Sequence, residues 1–387
     1  MDARQRATGV PPARHAVASV RSPCYVPVMR KMRLVPRAAV FPSALALLVA
    51  MTLCASACGS DGSSAASGDG GGTGIGPGNG DGPEGGATTD GSAVVTADGA
   101  GSDAAVDTSP TCTGKTGAVG DRSVMLTVDG KARAFDLHVP AGYEATKRTP
   151  LVFLFHGYTM TAAQIATATH FAATADARGL IVAFPSGIGS SFNAGDCCGQ
   201  AVTDSVDDVS FTRAMITSVA GDYCIDAKRT FATGFSNGGF LAYRLACELS
   251  DKIAAVAPVS GGLHIEVSAC KPGRPVPLFH VHGTNDLLVP YDGGGAGNAK
   301  PVSASIDAFR ASNGCAAGAG TVVFTKGDVS CTKWSGCTAG ADVELCTVSG
   351  GGHQWPGGAE LPYGPNLSLN LDTSSAVADF FATHPMP

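Results

Sequence analysis

The sequence predicts an α/β fold of three layers, with a mostly parallel sheet between two layers of helices. Two observations predict it: several short segments are apolar throughout, as in strands covered on both faces, and they alternate along the chain with helical segments. We predict strands at 149–157, 179–185, 229–235, 253–261, 276–284 and 343–350, and helices near 161–178, 206–222, 237–249, 301–312 and 373–383.

The individual segments support this order. A hairpin comes first, at 122–140, where polar and apolar residues alternate around Asp129-Gly130. The segments TPLVFLFHG (149–157) and GLIVAFP (179–185) are continuous apolar runs, which is typical of central strands. RTFATGF (229–235) leads directly into the helical segment NGGFLAYRLACEL. The later strands follow with helices between them, and we find no internal repeat.

The beginning of the chain has the organisation of an export signal. A basic cluster at 30–37 is followed by an apolar stretch from Ala38 to Leu53 and then by small residues before Cys58. The apolar stretch is shorter than the roughly 20 residues that span a bilayer, although a transmembrane anchor is the competing interpretation. Residues 1–28 precede this signal (29–58) without a clear purpose, so we expect that translation begins at Met29 or Met32.

The sequence Ala55-Ser56-Ala57-Cys58 resembles a bacterial lipoprotein processing site, at which Cys58 would be lipidated. Ala stands where Leu is usual, so ordinary secretion remains an alternative. Residues 59–110 contain 16 glycines and eight acidic residues, without Lys, Arg or aromatic residues. Such a segment cannot bury a core and predicts a disordered linker. The folded domain is therefore expected at 111–387.

Charge and cysteine content narrow the class of protein. The chain has a formal net charge of −6, and residues 1–58 contribute +7, so the remainder carries −13, which disfavours nucleic acid as a partner. Ten of the 13 cysteines follow Cys58, an even number that predicts up to five disulfides in an exported protein. A zinc site is the alternative, but the sequence has no pair of CxxC motifs, so we expect no metal.

Ser236 is the candidate nucleophile. It lies in Gly234-Phe235-Ser236-Asn237-Gly238, between a predicted strand and a predicted helix. In this context the Gly-x-Ser-x-Gly pattern indicates a sharp turn that exposes the serine hydroxyl. A serine that merely caps the helix is the alternative interpretation.

The hydroxyl needs a base and an acid, which follow the serine in the order acid, then histidine. Asp286 comes just after the strand at 276–284, and His353 lies in a glycine-rich loop after the strand at 343–350. Asp292 is the alternative acid. His156 precedes the serine and is therefore a poor candidate for the base.

The negative oxygen of the tetrahedral intermediate needs hydrogen-bond donors. We expect one from the backbone of Asn237 and a second from the backbone of Tyr158 or Thr159, of which we favour Tyr158. His280 and His282 alternate on one strand and therefore share a face, which would suit a metal. Without a third ligand, packing or lining of the site is the better interpretation.

Several segments together resemble one known family, and the resemblance extends over essentially all of 111–387. These segments are HGY, NAGDCCG, VDDVSFTRA, TGFSNGGFLAYRLACE, HGTNDLLVPYDGG and GGGHQWPGG. They are similar to secreted esterases that include polyhydroxybutyrate depolymerases, LpqC-type lipoproteins and feruloyl esterases. The resemblance implies an α/β-hydrolase fold, the triad Ser236, Asp286 and His353, and ester hydrolysis without a cofactor or metal.

The resemblance also bears on other residues. Trp355 either lines the acyl pocket or packs in the core, and we assign it, with His156, to substrate binding. Asp207 and Asp208 match a family segment but are typical of a helix start, so we interpret them as structural. Cys315 with Cys337 is similar to a family disulfide, and Cys331 with Cys346 is a further candidate. Cys224 and Cys247 are expected at the same edge of the sheet, where they could pair, whereas the partners of Cys197 and Cys198 stay open.

The predicted function is that of a secreted or lipid-anchored serine esterase, acting as a monomer. Feruloyl or acetyl esters on plant cell-wall polysaccharide are the expected substrates, because YCIDAKRTFATGFSNGGF is similar to the feruloyl esterase branch. A polyester such as polyhydroxybutyrate is the alternative substrate. A non-catalytic binding protein on the same scaffold is the alternative class. The only membrane attachment that we expect is the lipid at Cys58.

Overall fold

The computed structural model describes residues 112–387 of the 387-residue chain. The export signal at 29–58, the extension before it, the linker at 59–110 and the lipidation site at Cys58 lie outside the described residues and stay predictions. Within the described part, no helix is both long and apolar enough to cross a membrane.

The described chain forms one sheet of ten strands. The strands are β1 (Gly120–Val128), β2 (Lys131–Val139), β3 (Thr149–Phe155), β4 (Ile181–Pro185), β5 (Ile225–Phe235), β6 (Val256–Val259), β7 (Leu278–Gly283), β8 (Thr321–Lys326), β9 (Val329–Trp334) and β10 (Val343–Val348). Their order across the sheet is β1-β2-β4-β3-β5-β6-β7-β10-β9-β8. The six central strands, in the order β4-β3-β5-β6-β7-β10, pair in parallel. An antiparallel hairpin, β1 with β2 or β9 with β8, forms each edge of the sheet. The prediction of a mostly parallel sheet is confirmed.

Helices follow most of the parallel strands. They are α1 (Ala162–Thr169), α2 (Phe171–Arg178), α3 (Gly199–Thr203), α4 (Asp208–Asp222), α5 (Asn237–Glu248), α6 (Val302–Ser312) and α7 (Thr373–Ala382). Two clusters of buried apolar residues cover the two faces of the sheet. One contains Phe153, Phe240 and Leu278, and the other contains Val152, Phe231 and Trp355. Neighbours in β3 thus pack on opposite faces, as the period of two requires.

Three elements differ from the prediction. The single helix expected at 161–178 is two helices, because His170 adopts a left-handed conformation (φ 53°) between them. Helix α3 and the hairpin of β8 and β9 were not predicted. Every residue of β8 is exposed, so this edge strand lacks the buried apolar face that sequence patterns reveal.

The pairing proposed for Cys224 with Cys247 is wrong. Cys224 bonds to Cys112, and Cys247 bonds to Cys270. The reason lies in the segment after Cys112, where the Gly117 N–H donates to the Asp222 carbonyl oxygen at the end of α4 and brings Cys112 beside Cys224.

The other expected disulfides are present. Cys315 bonds to Cys337, as the resemblance implied, and the further candidate pair, Cys331 and Cys346, is also bonded. The adjacent Cys197 and Cys198 bond to each other. Cys331, Cys346 and Glu344 lie close enough together to suggest a metal site. Because both cysteines are oxidised in one disulfide, that cluster offers no thiolate to a metal.

Candidate active site

Ser236 occupies the sharp turn between β5 and α5. Its backbone has φ 55° and ψ −118°, a combination that residues other than glycine rarely adopt. The Ser236 side chain does not cap α5, so the alternative interpretation as a capping serine fails. The strained turn at the end of a central strand is the geometry of a nucleophile elbow.

The two glycines of the motif are required by close backbone approach. A Cβ atom at position 238 would lie 2.2 Å from the carbonyl oxygen of Phe155, at the end of β3. One at position 234 would lie 2.5 Å from the carbonyl carbon of Gly238. The turn can therefore form beside β3 only because neither residue has a side chain.

Asp286 and His353 lie after neighbouring parallel strands, β7 and β10, and meet at the same edge of the sheet. The His353 Nδ1 atom is 2.7 Å from Asp286 Oδ2, and both side chains are buried. The other carboxylate oxygen, Oδ1, accepts hydrogen bonds from the N–H groups of Leu288 and Val289. Asp292, the alternative acid, is exposed and forms no ion pair in the described chain.

The Asp286 carboxyl is held in its charged form. Burial alone would raise its pKa, but hydrogen bonds from His282 and His353 outweigh burial and hold the pKa well below the ordinary value. A charged carboxylate at this place fixes the His353 tautomer with the proton on Nδ1. The Nε2 atom is then an acceptor that can take a proton from a hydroxyl.

Ser236 and His353 line one cavity of about 200 Å³. The Ser236 hydroxyl forms no hydrogen bond with any residue of 112–387. Such contacts commonly tighten only when substrate binds. The rest of the cavity wall is mainly apolar, with Met160, Phe235, Phe240, Leu288 and Tyr363.

The backbone N–H groups of Asn237 and Tyr158 have no hydrogen-bond partner within the described chain. The N–H of Thr159, the alternative donor, is already bonded to the Ser190 carbonyl oxygen at 2.9 Å. Asn237 directly follows Ser236, and Tyr158 lines the same cavity as Ser236. This arrangement can accept the developing charge of an ester oxygen.

Neither residue assigned to substrate binding lines the cavity. Trp355 is fully buried in the core, and its indole N–H donates to the Ser374 hydroxyl. His156 is buried against Phe192, and its Nε2 atom accepts from the Gly187 N–H. Both assignments are wrong for the same reason: each side chain points into the packed interior and has its polar atoms satisfied there.

His280 and His282 form a buried chain behind Asp286. The Tyr243 hydroxyl is 2.7 Å from His280 Nδ1, and His280 Nε2 is 3.0 Å from His282 Nδ1. The His282 Nε2 atom is 2.8 Å from the Val289 carbonyl oxygen and 3.4 Å from Asp286 Oδ2. The sequence indicated their shared face, and the structure shows that they support the loop carrying the acid.

Asp207 and Asp208 are structural, as we interpreted them. Asp207 caps α4 by accepting from the Ser210 N–H. Asp208 is fully buried, pairs with Arg133 at 2.6 Å and accepts from the Asn193 N–H. Asp208 thereby anchors the loop that leads to Cys197 and Cys198, a role that the motif alone did not reveal.

The chain is similar in sequence to known esterases. Residues 133–272 match the family model described as "Esterase PHB depolymerase". Feruloyl esterase B of Piromyces equi is 35% identical over 228 residues, which are 55% of this chain and 41% of that protein. Feruloyl esterase C of Emericella nidulans is 32% identical over 244 residues, which are 61% of this chain and 80% of that protein. A solved acetyl xylan esterase from Aspergillus awamori aligns with a TM-score of 0.47 at 15% identity, over 60% of this chain and 94% of that one.

The matching family model and these relatives define a class of protein, that of the esterases. The chain spans less than half of the first relative and four-fifths of the second. It belongs to the polyhydroxybutyrate depolymerase and feruloyl esterase family.

Proposed function

We propose that this protein is an extracellular esterase that cleaves feruloyl or acetyl esters of plant cell-wall polysaccharide through Ser236, His353 and Asp286. One observation carries the proposal: the buried pair of His353 and Asp286 shares a cavity edge with a serine in a strained elbow. A binding protein would gain nothing from that strain, which costs of order 1–3 kcal/mol.

The first half of the reaction transfers the acyl group to the enzyme. The Ser236 oxygen attacks the ester carbonyl carbon while His353 Nε2 takes the hydroxyl proton, and Asp286 stabilises the resulting imidazolium. The N–H groups of Asn237 and Tyr158 donate to the oxyanion. When the intermediate collapses, His353 gives its proton to the leaving alcohol oxygen and the acyl-enzyme remains.

The second half releases the acid. A water molecule gives a proton to His353 Nε2 and attacks the acyl carbonyl carbon, and the same two N–H groups donate to the oxyanion. Collapse breaks the bond to the Ser236 oxygen, which regains its proton from His353. The enzyme returns to its starting state, and no cofactor enters either half.

The cavity suggests how the substrate is oriented. Its volume of about 200 Å³ is below the usual range for a drug-sized ligand, and its walls are mainly apolar. A polar sugar chain does not fit such a space, whereas an acyl group does. We therefore assign the cavity to the acyl group and place the polysaccharide alcohol outside it. The names of the two sequence relatives support feruloyl groups.

The extracellular location is part of the proposal. It is supported by the export signal predicted at 29–58 and by the five disulfides of the described domain, which persist in oxidising compartments. Cys58 is the proposed point of lipid attachment.

The test compares three substrates for residues 111–387: methyl ferulate, acetylated xylan and poly(3-hydroxybutyrate), with Ser236→Ala as the background. We expect hydrolysis of methyl ferulate or acetylated xylan that disappears in the variant. Cleavage of the polyester alone would overturn the choice of substrate. Equal activity of the variant would overturn the role of the serine.

A further inference from the structure

We propose that the disulfide between Cys197 and Cys198 forms the wall of the acyl cavity that selects an aromatic acyl group. This inference rests on the proposed function and names a specificity-determining element for it. Neither the nucleophile elbow nor the pair of Asp286 and His353 requires this disulfide.

The disulfide lies at the cavity. Cys198 lines the same space as Ser236 and His353, and Cys197 behind it is only 4% exposed. A substrate group in the cavity therefore meets Cys198 on the same side as the reacting atoms, while Cys197 faces the protein.

The residue after the nucleophile holds this segment in place. The Asn237 side-chain oxygen accepts from the Phe192 N–H at 2.8 Å, and its amide group donates to the Phe192 carbonyl oxygen at 2.9 Å. The same amide group is 3.4 Å from the Cys197 carbonyl oxygen. Because Asn237 begins α5, the disulfide and the oxyanion donor are fixed to one element.

The loop that contains Gly297 packs against the side of the disulfide that faces away from the cavity. A Cβ atom at Gly297 would lie 2.7 Å from the Cys197 Cβ atom and 2.8 Å from Cε1 of the His264 ring. The neighbouring Ala296 lines the cavity next to Cys198. The disulfide is therefore packed between this loop and the cavity and cannot withdraw when an acyl group enters.

The disulfide contributes little to stability through chain constraint. The other four disulfides of the described domain join cysteines 15 to 112 positions apart, whereas this one joins adjacent residues. Stabilisation by restricting the unfolded chain grows with the size of the closed loop, so this disulfide stabilises the fold very little in this way. A role in the cavity wall explains the presence of this disulfide better than a role in stability does.

The chemistry of sulfur favours an aromatic acyl group. Sulfur is polarisable and makes favourable contacts with aromatic rings. Tyr158 and Phe240 are also part of the wall, so a planar ring in the cavity is surrounded by sulfur and aromatic carbon. An acetyl group is too short to fill the cavity when its carbonyl is at the oxyanion donors, so it gains little from this wall.

The test removes both cysteines, as Cys197→Ala with Cys198→Ala, and compares methyl ferulate with methyl acetate, which share the same alcohol. We expect kcat/KM for methyl ferulate to fall about 2- to 12-fold, mainly through KM, the size of a lost contact between sulfur and an aromatic ring. Methyl acetate should change less than about twofold. The matched control, Cys315→Ala with Cys337→Ala, removes a disulfide outside the cavity and should leave the ratio of the two esters unchanged.

An equal loss on both esters, no loss on either, or the same change of ratio in the control would overturn the inference. If the double variant does not fold, the Ser236→Ala protein soaked with methyl ferulate decides the matter. We expect the ring within about 4 Å of the Cys198 sulfur. A ring bound away from that sulfur would overturn the inference. Fluorophosphonate labelling of the wild-type protein reports separately on the proposed function, since it depends on Ser236 and not on the acyl group.

Discussion

Replacing Gly238 by Ala should disable the active site without touching any group that takes part in the reaction. The new methyl group would lie 2.2 Å from the Phe155 carbonyl oxygen, 2.5 Å from its carbonyl carbon and 2.8 Å from the His156 carbonyl oxygen. All three are backbone atoms, so no side-chain rotation can relieve the contact. Ordinary contact begins near 3.4 Å, so β3 and α5 must separate by about 1.2 Å.

That separation divides the two oxyanion donors. Tyr158 follows β3, whereas Asn237 begins α5, so their N–H groups can no longer serve one oxygen. A misplacement of about 1 Å costs roughly 100-fold in rate. Forcing a methyl group into packed surroundings costs about 1–3 kcal/mol of stability. We therefore expect kcat to fall roughly 100-fold in a protein that still folds.

The assay is steady-state hydrolysis of methyl ferulate, with urea unfolding to measure stability. Gly221→Ala is the matched control, because a Cβ atom at this position in α4 would meet nothing within 4 Å. That variant should keep wild-type kcat/KM and gain about 0.5–1 kcal/mol from its helical position. If Gly238→Ala retained kcat within threefold of wild type, the argument from backbone approach would be refuted.

Three further predictions follow from buried charge. Asp286→Asn should lower kcat roughly 10,000-fold because the His353 tautomer is lost, whereas Asp292→Asn should stay within twofold; equal effects in a steady-state assay would contradict the assignment. Asp208→Asn should cost about 3 kcal/mol in urea unfolding, since it leaves the buried Arg133 guanidinium without its charged partner, and a cost below about 1 kcal/mol would contradict this. Burial lowers the pKa of His264 to about 4, so between pH 4 and 6.5 the unfolded chain binds a proton that the folded chain does not, and stability falls as the pH falls. On going from pH 8 to pH 5, the free energy of unfolding of His264→Phe should therefore rise by about 2 kcal/mol relative to that of the wild type, as measured by urea unfolding. A difference between the two proteins that does not change with pH would contradict this sign.

The sequence predicted the central sheet well because its strands are buried on both faces. Continuous apolar runs such as 149–157 and 179–185 give a strong signal, and the alternation with helices fixes the layers. The edge hairpin of β8 and β9 was missed because β8 buries nothing. The break at His170 was missed because a single left-handed residue leaves no mark on helical periodicity.

The sequence also indicated some features of the candidate site and not others. Ser236, Asp286 and His353 could be named as candidates because each follows a predicted strand and the carboxyl ends of parallel strands meet at one edge. The choice between Tyr158 and Thr159 depended on which N–H is free, and that is set by a contact with Ser190. The spacing of residues in the sequence does not reveal such a contact.

The assignment of Trp355 and His156 to substrate binding shows where reasoning from sequence position failed. Both lie within three residues of a predicted site residue along the chain, yet their side chains point into the core. Closeness in sequence does not fix side-chain direction in an irregular loop. The pairing of Cys224 failed for a related reason, because its partner Cys112 lies in an N-terminal segment without periodic pattern.

The role of Ser236 as the nucleophile is tested most directly by labelling residues 111–387 with a fluorophosphonate, followed by peptide mass mapping. We expect one adduct, on the Ser236 oxygen, which is absent from Ser236→Ala and forms far more slowly in His353→Ala. No adduct on the folded wild-type domain, or an adduct on a different serine, would contradict it.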